Sequence, residues 1–455
     1  MAEIKKQDMG TGSVKRKMVQ LAVPAVVAQI INLLYNIVDR IYIGHIPEIG
    51  AHALTGVGLF TPILMLITAF AMLAGSGGAP LAAIAMGRGE QDRAEKIMGN
   101  CFTVLLLMAV VLTGVFCAFI PELIRLFGGS GNTIPYGVSY GRIYSLGSVF
   151  VLVVMGMNPF ITTQGFAKIS MLTTVIGAVI NIILDPILIF ALDLGVAGAA
   201  IATVLSQAVS AVWILRFLTG KKTMLKLRFG NMILEPGVIL PCLGLGVSSF
   251  VMVSTESILS VSFTSSLFRY GGDVAVGAMT VLTSVNQVIS MPLVGICQGG
   301  QPLMSYNYGA GKLDRVKEAF LCQFTVCVSY ATVFWALVQL FPSFFAGIFT
   351  NEQALVDYTA WAMRIFLAGC FSVGFQNSCQ QAFVALGQAK ISLFMACLRK
   401  LILLIPLIFI LPNFFQNKAM AVFLAEPVSD ILAAAAATTA FFLFFRRLMK
   451  TGKAE

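Results

Sequence analysis

The sequence contains little charge, little histidine and no cysteine pattern of a known type. Only 11% of its 455 residues are charged, against about 25% in a typical soluble domain, so most of its surface does not face water. The two histidines, His45 and His52, share one short loop, and a histidine-based catalytic or metal site is therefore not expected. None of the nine cysteines forms a CxxC pair, and most lie in apolar segments as small hydrophobic residues.

Hydrophobic residues are abundant: they make up 58% of the chain, and apolar runs of at least about 18 residues recur from Val19 to Phe445. Such runs are typical of transmembrane helices. They exclude a soluble enzyme, a nucleic-acid binder and a disulfide-stapled secreted scaffold. The net charge of +10 does not indicate a nucleic-acid partner, because the basic residues lie in short loops and tails that set membrane orientation. Residues 1–17 are polar and basic, and the apolar run after them is too long for a cleaved signal.

The apolar runs predict an all-α polytopic membrane protein with twelve spans and both termini in the cytoplasm. With this topology the inner segments hold 24 of the 30 basic residues, as expected for cytoplasmic loops. The six outer ones are Arg40, Arg125, Arg142, Arg269, Arg364 and Lys418. The spans cover approximately residues 18–44, 53–86, 94–120, 135–158, 170–193, 195–219, 237–267, 274–308, 316–342, 353–385, 392–411 and 417–445.

The two halves of the chain are related in sequence. GAPLAAIAMGRGEQDR, residues 78–93, aligns with GQPLMSYNYGAGKLDR, residues 300–315, at an offset of 222. At the same offset GFAKIS, residues 165–170, matches GQAKIS, residues 387–392. Because six spans is an even number, both halves insert with the same orientation, as a parallel repeat.

The repeat predicts two six-helix lobes joined by a polar segment. We expect an N-lobe at residues 1–219, a cytoplasmic linker at 220–236, and a C-lobe with a basic tail at 237–455. Two such lobes enclose a cleft, and rocking them opens it to one side and then to the other. The architecture itself therefore indicates a transporter.

Five acidic residues fall within the predicted spans, where each costs roughly 2.5–3.5 kcal/mol to insert at the membrane centre. They are Asp39, Asp185, Glu256, Glu426 and Asp430. Asp185 is the most informative, because Asn181 lies one helical turn before it and Pro186 frees a backbone carbonyl one turn earlier. Together with the hydroxyl of Thr203, these groups predict a hard-oxygen site for a proton or sodium. The alternative is an Asn–Asp pair that only packs helices.

Asp39 and Glu256 allow two interpretations each. Asp39 is either part of the ion site or an interfacial acid paired with Arg40; neighbouring helical side chains diverge by about 100°, which disfavours the pair. Pro24, fifteen residues earlier, predicts a place for span one to bend. Glu256 stands among serines and threonines and either faces a wet cavity, where it suits a cationic substrate, or packs helices.

Glu426 and Asp430 lie one turn apart, and the prediction for them is structural. We expect them to form ion pairs with Arg399 and Lys400, which enter span eleven from the inside. The glycine-rich segments GRGEQDR and GAGKLDR lack the P-loop spacing and predict tight cytoplasmic turns.

The chain resembles the multidrug and toxic compound extrusion (MATE) family of efflux antiporters, in a DinF-like or related bacterial branch. The resemblance covers essentially the whole chain, through its length, twelve spans, 6+6 repeat and central linker. Local features carry it as well: Pro24 and NIVDRIYIG in span one, NIILDPILI in span five, Thr203 in span six, and the paired GxPL…GxG…DR segments.

The resemblance implies a V-shaped pair of lobes, with an N-lobe cation site coupled to bending of span one at Pro24. The implied cation-coupling residues are Asp39, Asn181, Asp185 and Thr203, and those lining the same cavity are Tyr35 and Asn158. Glu256 resembles an acid of the C-lobe cation site of another branch. That branch also has an aspartate in span ten, where this chain has Gln376, Asn377, Gln380 and Gln381, so the site is expected in the N-lobe.

The implied function is secondary active efflux of cationic or amphipathic organic compounds in exchange for protons or sodium. The resemblance implies no cofactor, no nucleic-acid partner, no enzymatic activity, a monomer, and a place in the bacterial cytoplasmic membrane. Two alternatives remain open at this point. One is a flippase for a lipid-linked sugar or lipid of the same superfamily, which usually has more cationic residues in its cleft; the other is a membrane-embedded enzyme, for which the chain lacks a nucleophile–base pair.

Overall fold

The structure, a computed structural model, describes residues 9–349 and 352–451, and within these ranges all regular secondary structure is helical. The predicted cytoplasmic ends of the chain, residues 1–8 and 452–455, lie outside the described residues. The α-helices are α1 (Val14–Gly44), α2 (Gly50–Gly87), α3 (Gln91–Leu126), α4 (Ile134–Leu146), α5 (Ser148–Thr163), α6 (Ala167–Pro186), α7 (Gly195–Leu218), α8 (Pro236–Gly309), α9 (Leu313–Leu340), α10 (Pro342–Gly347), α11 (Gln353–Phe366), α12 (Val373–Ala385), α13 (Ala389–Cys397), α14 (Ile405–Ile410) and α15 (Lys418–Thr451).

The helices of the described ranges account for twelve membrane spans. Nine helical stretches are individually long and apolar enough to cross a membrane, and two bent pairs qualify together: α4 with α5, bent by 56°, and α11 with α12, bent by 47°. The helix α8 has 74 residues, more than twice the roughly 20 that a bilayer requires. It breaks at Gly272, whose φ of +65° is rarely adopted by other residues. With α8 counted as two spans, the predicted number of twelve is confirmed.

The backbone repeats at the same offset as the sequence. Gly89 and Gly311, which are 222 residues apart, both have positive φ, at +79° and +70°. Gly165 and Gly387, again 222 apart, have φ of +87° and +73°. Each ends a helix in the left-handed turn that satisfies its last carbonyls. Neither glycine-rich segment therefore cradles a phosphate; each is the tight turn that the sequence predicts.

Two hydrophobic cores hold the helices together. One runs from Ile43 to Cys242 and is formed by spans of the first half. The other is formed mainly by the second half, from Leu259 to Leu448, but it also includes Met18 and other residues from the start of α1. The helix α1 therefore belongs to both cores, with its first turns in the second and Ile43 in the first.

The two halves meet closely at the end of the molecule that carries the 88–90 and 310–312 turns, the predicted cytoplasmic end. Here α2 crosses α8 so closely that glycines meet main chain: Gly77 lies against Cys242, and Gly246 against Leu73. A Cβ at either glycine would clash with the partner backbone. The lobes are thus closed at this end.

The segment that precedes each half in sequence packs against the other half: the linker against the first half, and residues 9–12 against the second. The predicted linker runs along the N-lobe helices, where Gln164 Oε1 accepts backbone hydrogen bonds from Met224 and Leu225, at 2.7 and 2.9 Å. Residues 9–12, before α1, lie on the 310–315 turn of the second half. Their carbonyl oxygens accept hydrogen bonds from Lys312 and from the guanidinium of Arg315, at 2.8–3.2 Å. The division of the chain at 219 and 236 stays a prediction.

These contacts predict that Arg315 holds the start of α1 at the closed end. Replacing Arg315 by alanine removes three donors to residues 9–12, and the amides at the start of α1 should exchange hydrogen about tenfold faster, equivalent to about 1.4 kcal/mol. Hydrogen exchange with mass spectrometry measures this. The matched control is Arg93→Ala, at the equivalent repeat position, where the side chain pairs only locally with Glu90. Equal protection in wild type and Arg315→Ala would contradict the prediction.

Candidate functional site

The predicted N-lobe site is formed where α1, α6 and α7 pack against one another. Asn181 and Asp185 are four residues apart on α6 and therefore share one face of the helix. Asp185 is fully buried, Asn181 is 1% exposed, and Thr203 of α7 is 7% exposed. The sequence expectation that these three groups meet is confirmed by their hydrogen bonds.

Asn181 is the centre of these hydrogen bonds. Its Nδ2 donates to Asp185 Oδ1 at 3.1 Å and, more weakly, to Thr203 Oγ1 at 3.5 Å. The Thr203 hydroxyl in turn donates to the carbonyl of Ala199 at 3.0 Å. The hydroxyl hydrogen is thereby used within α7, which leaves the oxygen of Thr203 facing the amide and able to accept.

Three buried oxygens in this region have no hydrogen-bond donor among residues 9–349 and 352–451. They are Asp185 Oδ2, Asn181 Oδ1 and Asp39 Oδ1. An unsatisfied buried polar atom costs about 1–3 kcal/mol, and more when it is charged. An Asn–Asp pair that served only to pack helices would gain nothing from leaving both residues half-satisfied. Oxygens without donors are instead the ligands that a proton or a small hard cation takes up.

The backbone after Asp185 is loosened, as Pro186 predicts. Proline has no N–H, so the carbonyl one turn earlier loses its helical partner. The chain then continues as a single π-helical stretch, Ile187–Ala191, in place of a regular α-helical turn. Such stretches occur frequently at functional sites.

Asp39 reaches the same region from α1. Within the described residues it forms no direct ion pair with Arg40, and both Arg40 and Asp185 lie within electrostatic range of it. Tyr35, one turn earlier on α1, is within electrostatic range of both carboxylates. Pro24 lies inside α1, which runs without a gap from Val14 to Gly44, and its role as a hinge stays a prediction.

Asn158 is not part of this cluster. Its Nδ2 donates to the carbonyl of Ser170 at 3.3 Å, near the start of α6. Ser170 and Asn181 are eleven residues apart on α6, which at 1.5 Å per residue is about 16 Å. Asn158 therefore makes no direct contact with Asn181 or Asp185, and its place in the lining of the same cavity stays a prediction.

Two tyrosines of α4 that the sequence analysis does not single out lie near the site. Tyr140 and Tyr144 are 3% and 8% exposed, and their rings stack at 6.0 Å. Both meet the ring of Phe60 edge-on, and both are within electrostatic range of Asp39. Their i,i+4 spacing in the short bent helix α4 is the signal that could have identified them.

The C-lobe acids form ion pairs in part as predicted. Arg399 pairs with Asp430 at 2.7 Å and with Glu426 at 3.4 Å, so this prediction is confirmed. The expected pairing of Lys400 with the same two acids is wrong. Its ammonium group pairs with Glu256 and donates to the carbonyl of Met252, because consecutive residues of a helix point in different directions.

Comparison with known proteins identifies the family. The family model MatE matches residues 24–187 and again residues 247–410, so it covers more than half of the chain and both halves of the repeat. The chain belongs to the MATE family of membrane transporters.

Two curated bacterial relatives are similar to this MATE transporter along most of their length. Multidrug export protein MepA of Staphylococcus saprophyticus is 24% identical over 407 residues, covering 89% of this chain and 88% of that protein. Probable multidrug resistance protein YoeA of Bacillus subtilis is 26% identical over 371 residues, covering 78% and 79%.

Solved structures share the fold. The outward-facing conformation of a multidrug resistance MATE family transporter of the MOP superfamily superposes with a TM-score of 0.91 at 23% identity, over 98% of this chain and 99% of that one. MATE in the bent conformation superposes with a TM-score of 0.92 at 23% identity, over 99% and 100%. This MATE transporter therefore has the known two-lobe fold.

The unsatisfied oxygens predict that Asp185 lowers the free energy of unfolding. In Asp185→Asn the side chain keeps its size, loses its charge beside Asp39, and gains an N–H that can serve a buried oxygen. The variant should be more stable by about 1–2 kcal/mol, raising the apparent melting temperature by about 2–4 °C. Thermal unfolding in detergent measures this.

The matched control is Asp273→Asn, an exposed acid on α8 that should leave the melting temperature unchanged. A melting temperature that falls in Asp185→Asn would mean that the carboxylate holds helices together, and would contradict the prediction.

Proposed function

We propose that this MATE transporter is a multidrug efflux antiporter that exports cationic or amphipathic organic compounds in exchange for protons or sodium. The observation that carries the proposal is the set of buried oxygens without donors on Asp39, Asn181 and Asp185. It is supported by the names of the relatives, a multidrug export protein and a probable multidrug resistance protein. The cargo crosses the membrane unchanged, and the proposal assigns no cofactor.

The proposed coupling depends on the charge of two neighbouring carboxylates. With no ion bound, Asp39 on α1 and Asp185 on α6 repel each other across the helix interface, which favours the state that takes up cationic cargo from the cytoplasm or inner leaflet. An ion that enters from outside neutralises them and allows α1 to repack, with Pro24 as the hinge. The cavity then releases its cargo outward.

The closed cytoplasmic end fits one state of this cycle. The close contact of α2 and α8 at Gly77 and Gly246 supports assigning this conformation to the outward-facing half of the proposed cycle. To reach the inward-facing state, the lobes must separate along this contact.

The free energy of transport limits how few ions can be exchanged for each cargo molecule. Pumping a monovalent cation to a hundredfold gradient costs about 2.7 kcal/mol, and moving its charge out against 100 mV adds about 2.3 kcal/mol. One inward ion returns the charge term only, so its own concentration gradient must supply the rest. Two carboxylates in the site allow more than one ion per cargo molecule.

The charge of the buried basic groups argues against the flippase alternative. A pyrophosphate-carrying lipid requires cationic side chains that are available to it. The side chains of Arg399 and Lys400 are only 15% and 6% exposed, and each is paired with a carboxylate in this conformation. The proposed location is the bacterial cytoplasmic membrane, with a monomer whose two termini lie in the cytoplasm.

Gradient-driven transport of ethidium tests the proposal. Wild-type protein in vesicles should move ethidium under an imposed proton gradient or an imposed sodium gradient, and should not move it without either. Asp39→Asn removes one of the two charges and should lower the initial rate at least tenfold, since the ion no longer changes the charge of the site in the same way.

The control is Asp273→Asn, an exposed acid at the break of α8, which should transport at the wild-type rate. Ethidium movement that ignores both gradients, or an Asp39→Asn variant as active as its control, would sink the proposal.

A further inference from the structure

A second cluster of buried charged residues lies in the C-lobe and is not used by the proposed ion coupling. It consists of Glu256 on α8, Arg399 and Lys400 in the π-helical stretch Leu398–Leu404, and Glu426 and Asp430 on α15. Arg399, Lys400, Glu426 and Asp430 have side chains that are 15%, 6%, 10% and 6% exposed. Glu256 differs, because its side chain is 52% exposed.

The repeat relates this cluster to the N-lobe site. The N-lobe groups come from spans one, five and six, and the C-lobe groups from spans seven, eleven and twelve, which are the same three spans of the second half. Both span five and span eleven also contain a π-helical stretch, Ile187–Ala191 and Leu398–Leu404. Each half therefore gathers its buried charge at the same place in the fold.

The two halves differ in what faces the acids. In the N-lobe, Asp39 Oδ1, Asn181 Oδ1 and Asp185 Oδ2 have no donor among the described residues. In the C-lobe, the cations are side chains of the chain itself. Arg399 neutralises Glu426 and Asp430 in part, and Lys400 forms an ion pair with Glu256. The cluster contains three carboxyl groups and two basic groups, so it has fewer cations of its own than acids.

Glu256 is the member of the cluster that an external cation can reach. It lies on a polar stripe of exposed residues, Glu256, Ser260 and Thr264, spaced four apart along one face of α8. A stripe of this kind faces water better than lipid. One residue on, Ser257 donates to the sulfur of Met65 on α2, at 3.6 Å, which puts this part of α8 beside the other lobe.

Lys400 can leave Glu256 without losing every partner. Its ammonium group also donates to the carbonyl of Met252, one turn before Glu256 on α8. The carbonyl holds the lysine in place when the carboxylate turns away. The pair therefore has two arrangements, one with the carboxylate on the lysine and one with the carboxylate free.

We propose that Glu256 forms a binding site for ammonium cations in the C-lobe, and that the ammonium group of Lys400 fills this site in the present conformation. An organic cation in the cleft binds Glu256 by displacing the Lys400 ammonium group. The inference rests on the proposed function in one respect, that organic cations reach the cleft. In this site Lys400 competes with the cargo for the carboxylate of Glu256. The competition weakens the binding of the cargo and so favours its release.

Ethidium binding to purified full-length protein tests the competition without any gradient. Lys400→Met keeps the length of the side chain and removes the charge, and should strengthen ethidium binding about fivefold, as the loss of one half-exposed ion pair allows. Glu256→Gln should weaken binding, and the double variant should bind no better than Glu256→Gln. Fluorescence anisotropy measures the three dissociation constants.

Two further variants serve as controls for charge. Lys400→Arg keeps a cation at the position and should bind ethidium as wild type does. Lys390→Met removes an exposed lysine from the same span and should also leave binding unchanged. Equal affinity in wild type and Lys400→Met, or a gain that persists without Glu256, would overturn the proposal.

A second measurement uses no drug and so separates this inference from the proposed function. Lys400→Ala removes the end of the lysine and leaves room for a small alkylammonium ion between Met252 and Glu256. Propylammonium at millimolar concentration should raise the melting temperature of Lys400→Ala and not that of wild type. The same response in both proteins would overturn the site, whereas a specific response with no ethidium transport would leave the site standing and remove only the proposed function.

Discussion

Burying a carboxylate whose second oxygen has no donor costs free energy that a stable fold normally avoids. Asp185 is fully buried with Oδ2 in that condition, and Asp39 lies close enough for the two charges to interact. The surrounding helices relieve this cost only in part: Asn181 donates to Asp185 Oδ1, but Asp185 Oδ2 and Asn181 Oδ1 have no donor among the described residues. The packing of the surrounding helices must therefore hold the two carboxylates in place until an ion binds to them.

The helix α1 links this site to the closure of the molecule. Its first turns pack in the core of the second half, where Met18 is buried, and residues 9–12 before it are held by Lys312 and Arg315. Its far end packs in the first core through Ile43, and it carries Asp39 to the site. A change in charge at Asp39 therefore acts on a helix that belongs to both hydrophobic cores, which provides a physical route from the ion to the contact between α2 and α8.

Much of this could be predicted from the sequence, because the strongest constraints are local. The apolar runs and the basic loops specify the spans, and the offset of 222 specifies the repeat that Gly89 and Gly311 confirm. Asn181 and Asp185 share a face by their spacing alone.

The partner of Lys400 and the distance of Asn158 from the site could not be predicted, because both depend on how helices distant in sequence rotate and cross. The spacing of Tyr140 and Tyr144 predicts that they share a helix face, but their place beside the site depends on packing against α1 and α2.

The central claim is that one N-lobe site exchanges an ion for the binding of cargo. The most direct test measures ion release when ethidium binds to purified protein, by a pH indicator for protons and by radioactive sodium for sodium. Wild type should release one of the two ions as ethidium saturates, and Asp185→Asn should release neither. Ethidium binding by wild type without release of either ion, or equal release by Asp185→Asn, would contradict the account.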